Sequence, residues 1–313
     1  MTLSKNLKQF VKLNTPLAKW KGSLYTNAII FKNYIQNYDI YQQILSTQQS
    51  NELVTNAIQD SKPFMISRFG STEAYCIYEY LQGDYKGSIF ESMSNDSGFF
   101  PVDKEHLDRF SQLFLESSNY IDILGVWFQI GEPEIIKNSC LKASFVELNT
   151  LEPYYQNEPW SKNLEGKKVL VIHPFAETIS SQYRNHRELL FPNKNILPKF
   201  ELITLKAVQS LAGTQTKFNT WFDAYEWMCN EIKNKDFDIA IIGCGAYGLP
   251  LAAYVKSLGK QAVHLGGATQ ILFGIKGNRW DKIPFFQSLY NEYWVRCSPE
   301  DIPTSPSKYP AYW

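Results

Sequence analysis

The chain has 313 residues, 44% of them hydrophobic and 15% aromatic, which allows a sizeable core in one large α/β domain or in two lobes. Its 31 basic and 31 acidic residues cancel, which argues against a nucleic-acid-binding protein that relies on bulk charge. Five scattered cysteines without a C-x-x-C pair indicate reduced thiols in the cytoplasm, and the four histidines show no zinc-type spacing. No apolar run reaches the roughly 20 residues of a membrane span, and the N-terminus has no apolar signal core, so we expect neither insertion nor export.

Residues 1–60 are predicted to form a helical extension ahead of the core domain. Residues 1–22 carry five lysines and no acid, with apolar residues on one helical face. Such a helix either contacts an anionic membrane surface peripherally or packs its apolar face on the domain, and both readings stay open. Residues 23–60 continue with helical spacing.

From residue 61 onward, short apolar runs alternate with helical segments. This rhythm predicts a Rossmann-like α/β domain over residues 61–297, with a mostly parallel sheet and helices on both faces. A proline-containing tail, residues 298–313, is predicted to pack on its surface. The carboxyl ends of parallel strands share one edge of a sheet, so the strand ends should converge there. These ends are predicted near Arg68, Trp127, His173, Ala207, Gly243 and Leu265.

A glycine motif follows the predicted strand at residues 238–242. Gly243, Gly245 and Gly248 have G-x-G-x-x-G spacing, and a second strand ends in His264 before the turn at Gly266 and Gly267. Such turns let backbone N–H groups approach a phosphate. The alternative is that the glycines only allow a strand and a helix to pack closely. An NAD site would place an acidic residue at the end of the second strand, and none stands beside His264.

Polar side chains follow several predicted strands, where open α/β sheets place their ligands. Glu73 either reaches a ligand or only stabilises a helix start, and His173 is either an acid, base or phosphate partner or a neutral structural histidine. Lys276 and Arg279 either neutralise a diphosphate or lie in a surface loop. The predicted ligand-binding residues are Arg68, Gly70, Gln209, Ser210, Gly243, Gly245, Ala246, Tyr247, Gly248, His264, Gly266, Gly267, Lys276 and Arg279.

Two blocks of sequence resemble a known family. The segment ISRFGSTEA at residues 66–74 and the block at residues 241–280 resemble the GT-D-fold glycosyltransferases, a former domain of unknown function encoded in bacterial surface-polysaccharide clusters. With the segments HPFAETI and AVQS, the chain looks like a divergent subgroup of that family. The resemblance covers most of residues 60–300. It implies transfer of a sugar from a nucleotide-diphosphate donor, such as a UDP-sugar, to a glycan or lipid-linked glycan precursor.

The resemblance also implies a divalent metal, Mn²⁺ or Mg²⁺, held by a D-x-E carboxylate pair. Glu73 matches the glutamate of that pair, but Ser71 stands where the aspartate is expected. Either Glu73 binds the metal together with a diphosphate and with Asp96 or Glu177, or the basic side chains offset the diphosphate charge without metal.

We therefore predict a cytoplasmic glycosyltransferase, with peripheral contact to the inner membrane face through residues 1–22 as an open possibility. Glu73, His173 and Glu177 are the candidate bases. Two alternatives remain. One is an NAD(P)-dependent oxidoreductase built on the same glycine turn. The other is a non-catalytic nucleotide-sugar-binding subunit, for which Ser71 is the best support.

Overall fold

The computed structural model describes residues 32–302 and 311–313. The predicted basic helix in residues 1–22 and the middle of the predicted tail, residues 303–310, lie outside this part of the chain. Before the sheet come the short helix α1 (Tyr38–Tyr41) and α2 (Thr47–Gln59). Ser46 and Gln49 form a reciprocal capping box at the start of α2, which satisfies two N–H groups there.

A seven-stranded sheet forms the centre of the molecule. Its order is β3-β2-β1-β7-β6-β4-β5, and every pairing between neighbouring strands is parallel. The predicted Rossmann-like α/β fold is therefore confirmed. The strands are β1 (Phe64–Arg68), β2 (Ile123–Val126), β3 (Ser144–Glu147), β4 (Lys168–His173), β5 (Glu201–Lys206), β6 (Ile239–Ile242) and β7 (Gln261–His264).

Helices cover both faces of the sheet. Successive residues of a strand point to opposite faces, so Val169 and Val171 enter one apolar cluster while Leu170 and Ile172 enter the other. This explains why the strand sequences are nearly continuous apolar runs. The helices are α3 (Ser71–Gln82), α4 (Gly87–Asn95), α5 (Lys104–Ser118), α6 (Glu132–Ser139), α7 (Ala176–Leu190), α8 (Trp221–Lys233), α9 (Gly248–Ser257), α10 (Ala268–Leu272) and α11 (Pro284–Leu289).

Three short 3₁₀ helices, Leu148–Leu151, Pro153–Tyr155 and Trp160–Leu164, connect β3 to β4. They bury Leu151 and Trp160 in the apolar cluster that α2 also joins through Val54 and Ile58. Across residues 32–302 and 311–313, the structure contains no helix with the length and apolar character needed to cross a bilayer.

Candidate functional site

A cavity of about 310 Å³ lies at the carboxyl edge of the parallel sheet. Segments that follow β1, β2, β4, β5, β6 and β7 contribute to its walls, together with residues 95–98 and residues 311–313. The strand order and the parallel pairing place these segments side by side. Ligands of open α/β sheets bind at this edge, so the cavity is the candidate functional site.

Most of the site residues predicted from the sequence line this cavity. Glu73 and the turn at residues 243–247 belong to the same cavity, as a shared ligand requires. The predicted residues found in its walls are Arg68, Gly70, Glu73, His173, Gln209, Ser210, Gly243, Gly245, Ala246, Tyr247, His264, Gly266, Gly267 and Arg279.

Three predicted residues are not part of the cavity walls. Glu177 lies in the first turn of α7, exposed to solvent, while its neighbours Ala176 and Thr178 turn inward. The ammonium group of Lys276 lies over the Tyr290 ring, 5.3 Å from its centroid. Gly248 starts α9 and packs against the His264 ring.

Glu73 is the buried carboxylate of the cavity wall. It lies in the first turn of α3, only 8% exposed, where the positive end of the helix dipole favours a negative charge. The N-cap residue is Gly70, and a Cβ atom there would lie 1.8 Å from Glu73 Oε2. The carboxylate therefore folds back over the start of the helix, into space that only glycine leaves open.

Arg68 ends β1 and points its guanidinium along the cavity wall. Its Cζ lies 4.4 Å from the centroid of the Trp127 ring, which is a cation–π contact. The Arg68 Nε atom is buried without a hydrogen-bond partner among the described residues. Burial, and then the nearby charge of Arg279, lower the pKa of Arg68, whereas Glu73 and Glu152 act in the opposite direction.

Trp127 is held in place by a tight turn after β2. Its indole N–H donates to the Phe69 carbonyl oxygen at 2.9 Å. The fully buried carboxyl group of Glu132 accepts the backbone N–H groups of Trp127 and Phe128 at 3.2 and 2.7 Å. These bonds stabilise Phe128 at a φ of +66°, a left-handed conformation that is uncommon for a bulky residue. The turn thus positions the aromatic ring on which Arg68 rests.

Arg279 enters the cavity from the segment after α10. Its backbone N–H donates to the Ala311 carbonyl oxygen at 2.9 Å, and its Nη1 lies 3.3 Å from the Tyr312 hydroxyl. The amide of Gln270 donates to the Tyr312 carbonyl oxygen at 3.0 Å. Residues 311–313 are therefore fixed against the guanidinium and form part of the cavity wall.

Both histidines of the cavity are buried and neutral. Burial lowers the pKa of His173 to about 3, and its Nδ1 accepts the N–H of Phe175 at 3.0 Å. Burial, reinforced by the charge of Arg68, lowers the pKa of His264 to about 3. The Nδ1 of His264 lies 2.9 Å from the Ser67 hydroxyl. With pKa values this low, neither ring takes up a proton readily near neutral pH.

The glycines of the G-x-G-x-x-G motif differ in role: some allow close packing, and others lie in the turn that lines the cavity. A Cβ atom on Gly243 would lie 2.4 Å from the Gly266 carbonyl oxygen, and one on Gly248 would lie 2.3 Å from His264 Nε2. These two glycines let α9 and the loop after β7 approach closely. Gly245 has a φ of +56°, which glycine adopts without strain. The turn at residues 243–247 still lines the cavity with backbone.

The carboxylates available to a divalent metal are few. Glu73 and Asp96 line the cavity, one from the first turn of α3 and the other from the C-terminal cap of α4. Within the part of the chain that the structure describes, no three His, Cys, Asp or Glu side chains form a group that could hold a metal ion. The donor set therefore does not form a protein cage for Mn²⁺ or Mg²⁺.

Several residues of the cavity were not predicted as site residues from the sequence. Trp127, Ser97 and Tyr312 line it, and the Ser97 hydroxyl is buried without a partner among the described residues. The Asn-Asp-Ser-Gly turn at residues 95–98 and the aromatic residue at the tip of β2 are the signals that mark two of them. Tyr312 has no such signal, because it reaches the cavity from a distant part of the sequence.

The fold and the site define a Rossmann-like α/β domain with a ligand-sized cavity at the carboxyl edge of its sheet. No protein-family model matches the chain, and no curated protein matches its sequence. The structure is similar to a selenomethionine-substituted structure of domain of unknown function 1792 (DUF1792), with a TM-score of 0.42 and 15% sequence identity, over 72% of this chain and 78% of that one.

Proposed function

We propose that the protein is a glycosyltransferase that moves a sugar from a nucleotide-diphosphate donor, foremost a UDP-sugar, to a bacterial surface-glycan precursor. The observation that carries the proposal is the meeting of Arg68, Arg279 and Glu73 in one cavity beside the turn at Gly266 and Gly267. Two guanidinium groups suit the oxygens of a diphosphate, and glycine turns let the backbone come close to it. The GT-D resemblance of the sequence supports the same substrate class.

The reaction that fits these groups is a displacement at the anomeric carbon. The acceptor oxygen forms a bond to this carbon, and the bond to the diphosphate oxygen breaks with its electron pair. Glu73 is the base to which we assign the acceptor proton, because it is the buried carboxylate of the wall. Glu177 fits this role less well because it is exposed on α7, and His173 fits it less well because burial lowers its pKa to about 3.

A nicotinamide nucleotide is a poorer fit to the same edge. β7 is the strand that follows the glycine motif in the chain and pairs with β6, and it ends in the neutral His264. A dinucleotide site of this type places a carboxylate there to hold the ribose hydroxyls. The acceptor, and membrane contact through residues 1–22, stay predictions from the sequence.

The proposal is tested first by binding and then by chemistry. Thermal unfolding is followed with UDP, GDP, CMP-sugars and NAD, since a ligand that binds the native state raises the melting temperature. We expect stabilisation by a nucleoside diphosphate and none by NAD. Stabilisation by NAD alone would overturn the proposal.

An assay for donor hydrolysis or sugar transfer by the isolated chain then distinguishes an enzyme from a non-catalytic binding subunit. The second alternative is favoured by Ser71, which stands in place of the expected aspartate. Glu73→Ala should abolish turnover while nucleotide binding and the melting temperature persist. Wild-type turnover in Glu73→Ala would show that the base is another group.

A further inference from the structure

The cavity wall lacks one half of the carboxylate pair that the family resemblance implies. Ser71 is the first residue of α3 and is exposed, and a serine hydroxyl is a much weaker ligand for a hard cation than a carboxylate. The remaining carboxylate, Glu73, is folded back over Gly70 and is attracted to Arg68. The charge of a diphosphate must therefore be balanced by other groups.

Arg68 is arranged to receive an anion. Its Cζ atom lies 4.4 Å from the centroid of the Trp127 ring, and its Nε hydrogen has no acceptor among the described residues. A Cβ atom on Gly266 would lie 3.0 Å from Arg68 Nη1, so the glycine lets the backbone turn pass directly beside the guanidinium. The cation and the turn can thus contact the same phosphate group.

Arg279 supplies a second cation close enough to act on the first. Burial is the main cause of the lowered pKa of Arg68, and repulsion by the like charge of Arg279 adds to it, while Glu73 and Glu152 act in the opposite direction. Tyr312 and Ala311 fix Arg279 through its side chain and its backbone. A dianion that binds between the two arginines would relieve the repulsion, which gives the pair a specific affinity for a diphosphate.

We propose that Arg68 and Arg279 replace the divalent cation of the family and that the chain binds its diphosphate without a protein-held metal. This inference rests on the proposed glycosyltransferase function. In the transfer step, the bond from the anomeric carbon to the diphosphate breaks, and its electron pair stays on the diphosphate oxygen. The two guanidinium groups stabilise the added negative charge, and the acceptor proton goes to Glu73.

The test is the dissociation constant of the full chain for UDP, GDP and ADP, measured by calorimetry in EDTA and in MnCl₂. We expect the nucleotide that binds to have the same dissociation constant within about threefold in the two buffers. Binding that appears only in MnCl₂, or that weakens at least tenfold in EDTA, overturns the arginine proposal and leaves the proposed function standing. Failure of every nucleoside diphosphate to bind in either buffer overturns the proposed function, and this inference with it.

Variants distinguish a specific effect of the two arginines on diphosphate binding from a general effect of positive charge. Arg279→Gln should weaken UDP binding at least tenfold in EDTA and leave uridine binding unchanged. Lys282→Gln is the matched control, because Lys282 is an exposed cation three residues away that does not line the cavity. Ser71→Asp should create a gain in affinity from Mn²⁺ that the parent chain lacks. Equal Mn²⁺ responses of Ser71→Asp and the parent, or equal losses in Arg279→Gln and Lys282→Gln, would overturn the proposal.

Discussion

The Glu73 carboxylate can be displaced without mutating Glu73 itself, because Gly70 leaves open the space that it occupies. In Gly70→Ala, the new Cβ atom would lie 1.8 Å from Glu73 Oε2 and 2.8 Å from its Cδ, so the carboxylate must retreat by about 1.6 Å to reach ordinary contact at 3.4 Å. The backbone at Gly70 has φ −71° and ψ 145°, which alanine adopts without strain. The substitution therefore moves the proposed base and leaves the chain path unchanged.

The expected effects on stability and on turnover differ greatly in size. Alanine is a poorer N-cap residue than glycine by up to about 1 kcal/mol. Alanine also reduces the conformational freedom of the unfolded chain, which stabilises the folded state by roughly 0.4–1 kcal/mol. The two effects nearly cancel, so the melting temperature should change by no more than a few degrees. A positioned general base contributes about 10²–10⁴-fold to a rate. Gly70→Ala should therefore lose at least about a hundredfold in kcat, close to the loss in Glu73→Ala.

The assay is steady-state transfer or donor hydrolysis with the donor identified by binding, alongside the melting temperature of each variant. Gly87→Ala is the control, because a Cβ atom at this position of α4 meets nothing within 4 Å. It should keep both turnover and stability. If Gly70→Ala retains wild-type kcat while Glu73→Ala loses activity, the position of the carboxylate is not what the chemistry requires. In that case the reasoning from the helix start is refuted.

The remaining predictions concern stability. Burial raises the pKa of Glu132 to about 8 from an ordinary 4.5, so between these pH values the folded state keeps a proton that the unfolded state releases. The parent chain should therefore lose stability relative to Glu132→Gln as pH rises from 5 to 8, and a constant difference in urea unfolding would contradict this. Gly248→Ala places a Cβ atom 2.3 Å from a His264 ring atom and should cost about 1–3 kcal/mol in urea unfolding, whereas an unchanged midpoint would show that the ring moves freely. Asp301→Ala removes the buried carboxylate that Thr178 and the half-exposed Lys206 contact, and it should cost about 1–3 kcal/mol. Glu300→Ala, at an exposed neighbouring position, should cost less than about 0.5 kcal/mol, and equal losses would contradict the role of the buried carboxylate.

The sheet could be predicted because its signals are local. Each strand is a short, buried apolar run, and the predicted strand ends at Arg68 and His173 are the observed ends of β1 and β4. The convergence of the strand ends then follows from the parallel arrangement alone. Glu177 shows the limit of this argument. Its place in the sequence near a strand end is correct, but its position in the first turn of α7 directs it to solvent.

The environment of Arg68 could not be predicted, because it depends on register between strands. Arg68 pairs with Gly125 of β2, which brings Trp127, two residues further on, beside the guanidinium. Apolar patterning does not specify which residues of two parallel strands stand side by side. The turn stabilised by Glu132 adds a second condition, since it depends on a carboxylate that reads in the sequence as an ordinary helix-start acid.

The glycines at the carboxyl edge of the sheet have different roles, which follow from what each of them contacts. In a dinucleotide-binding motif the glycines serve both the phosphate and the packing, and here the packing role dominates at Gly243 and Gly248. The glycine that stands beside a cation is Gly266, in the turn after the neighbouring strand β7. Anion affinity at this sheet edge should therefore depend on Arg68, Arg279 and the β7 turn more than on the G-x-G-x-x-G spacing. A search for relatives by that spacing alone would miss the residues on which we expect function to depend.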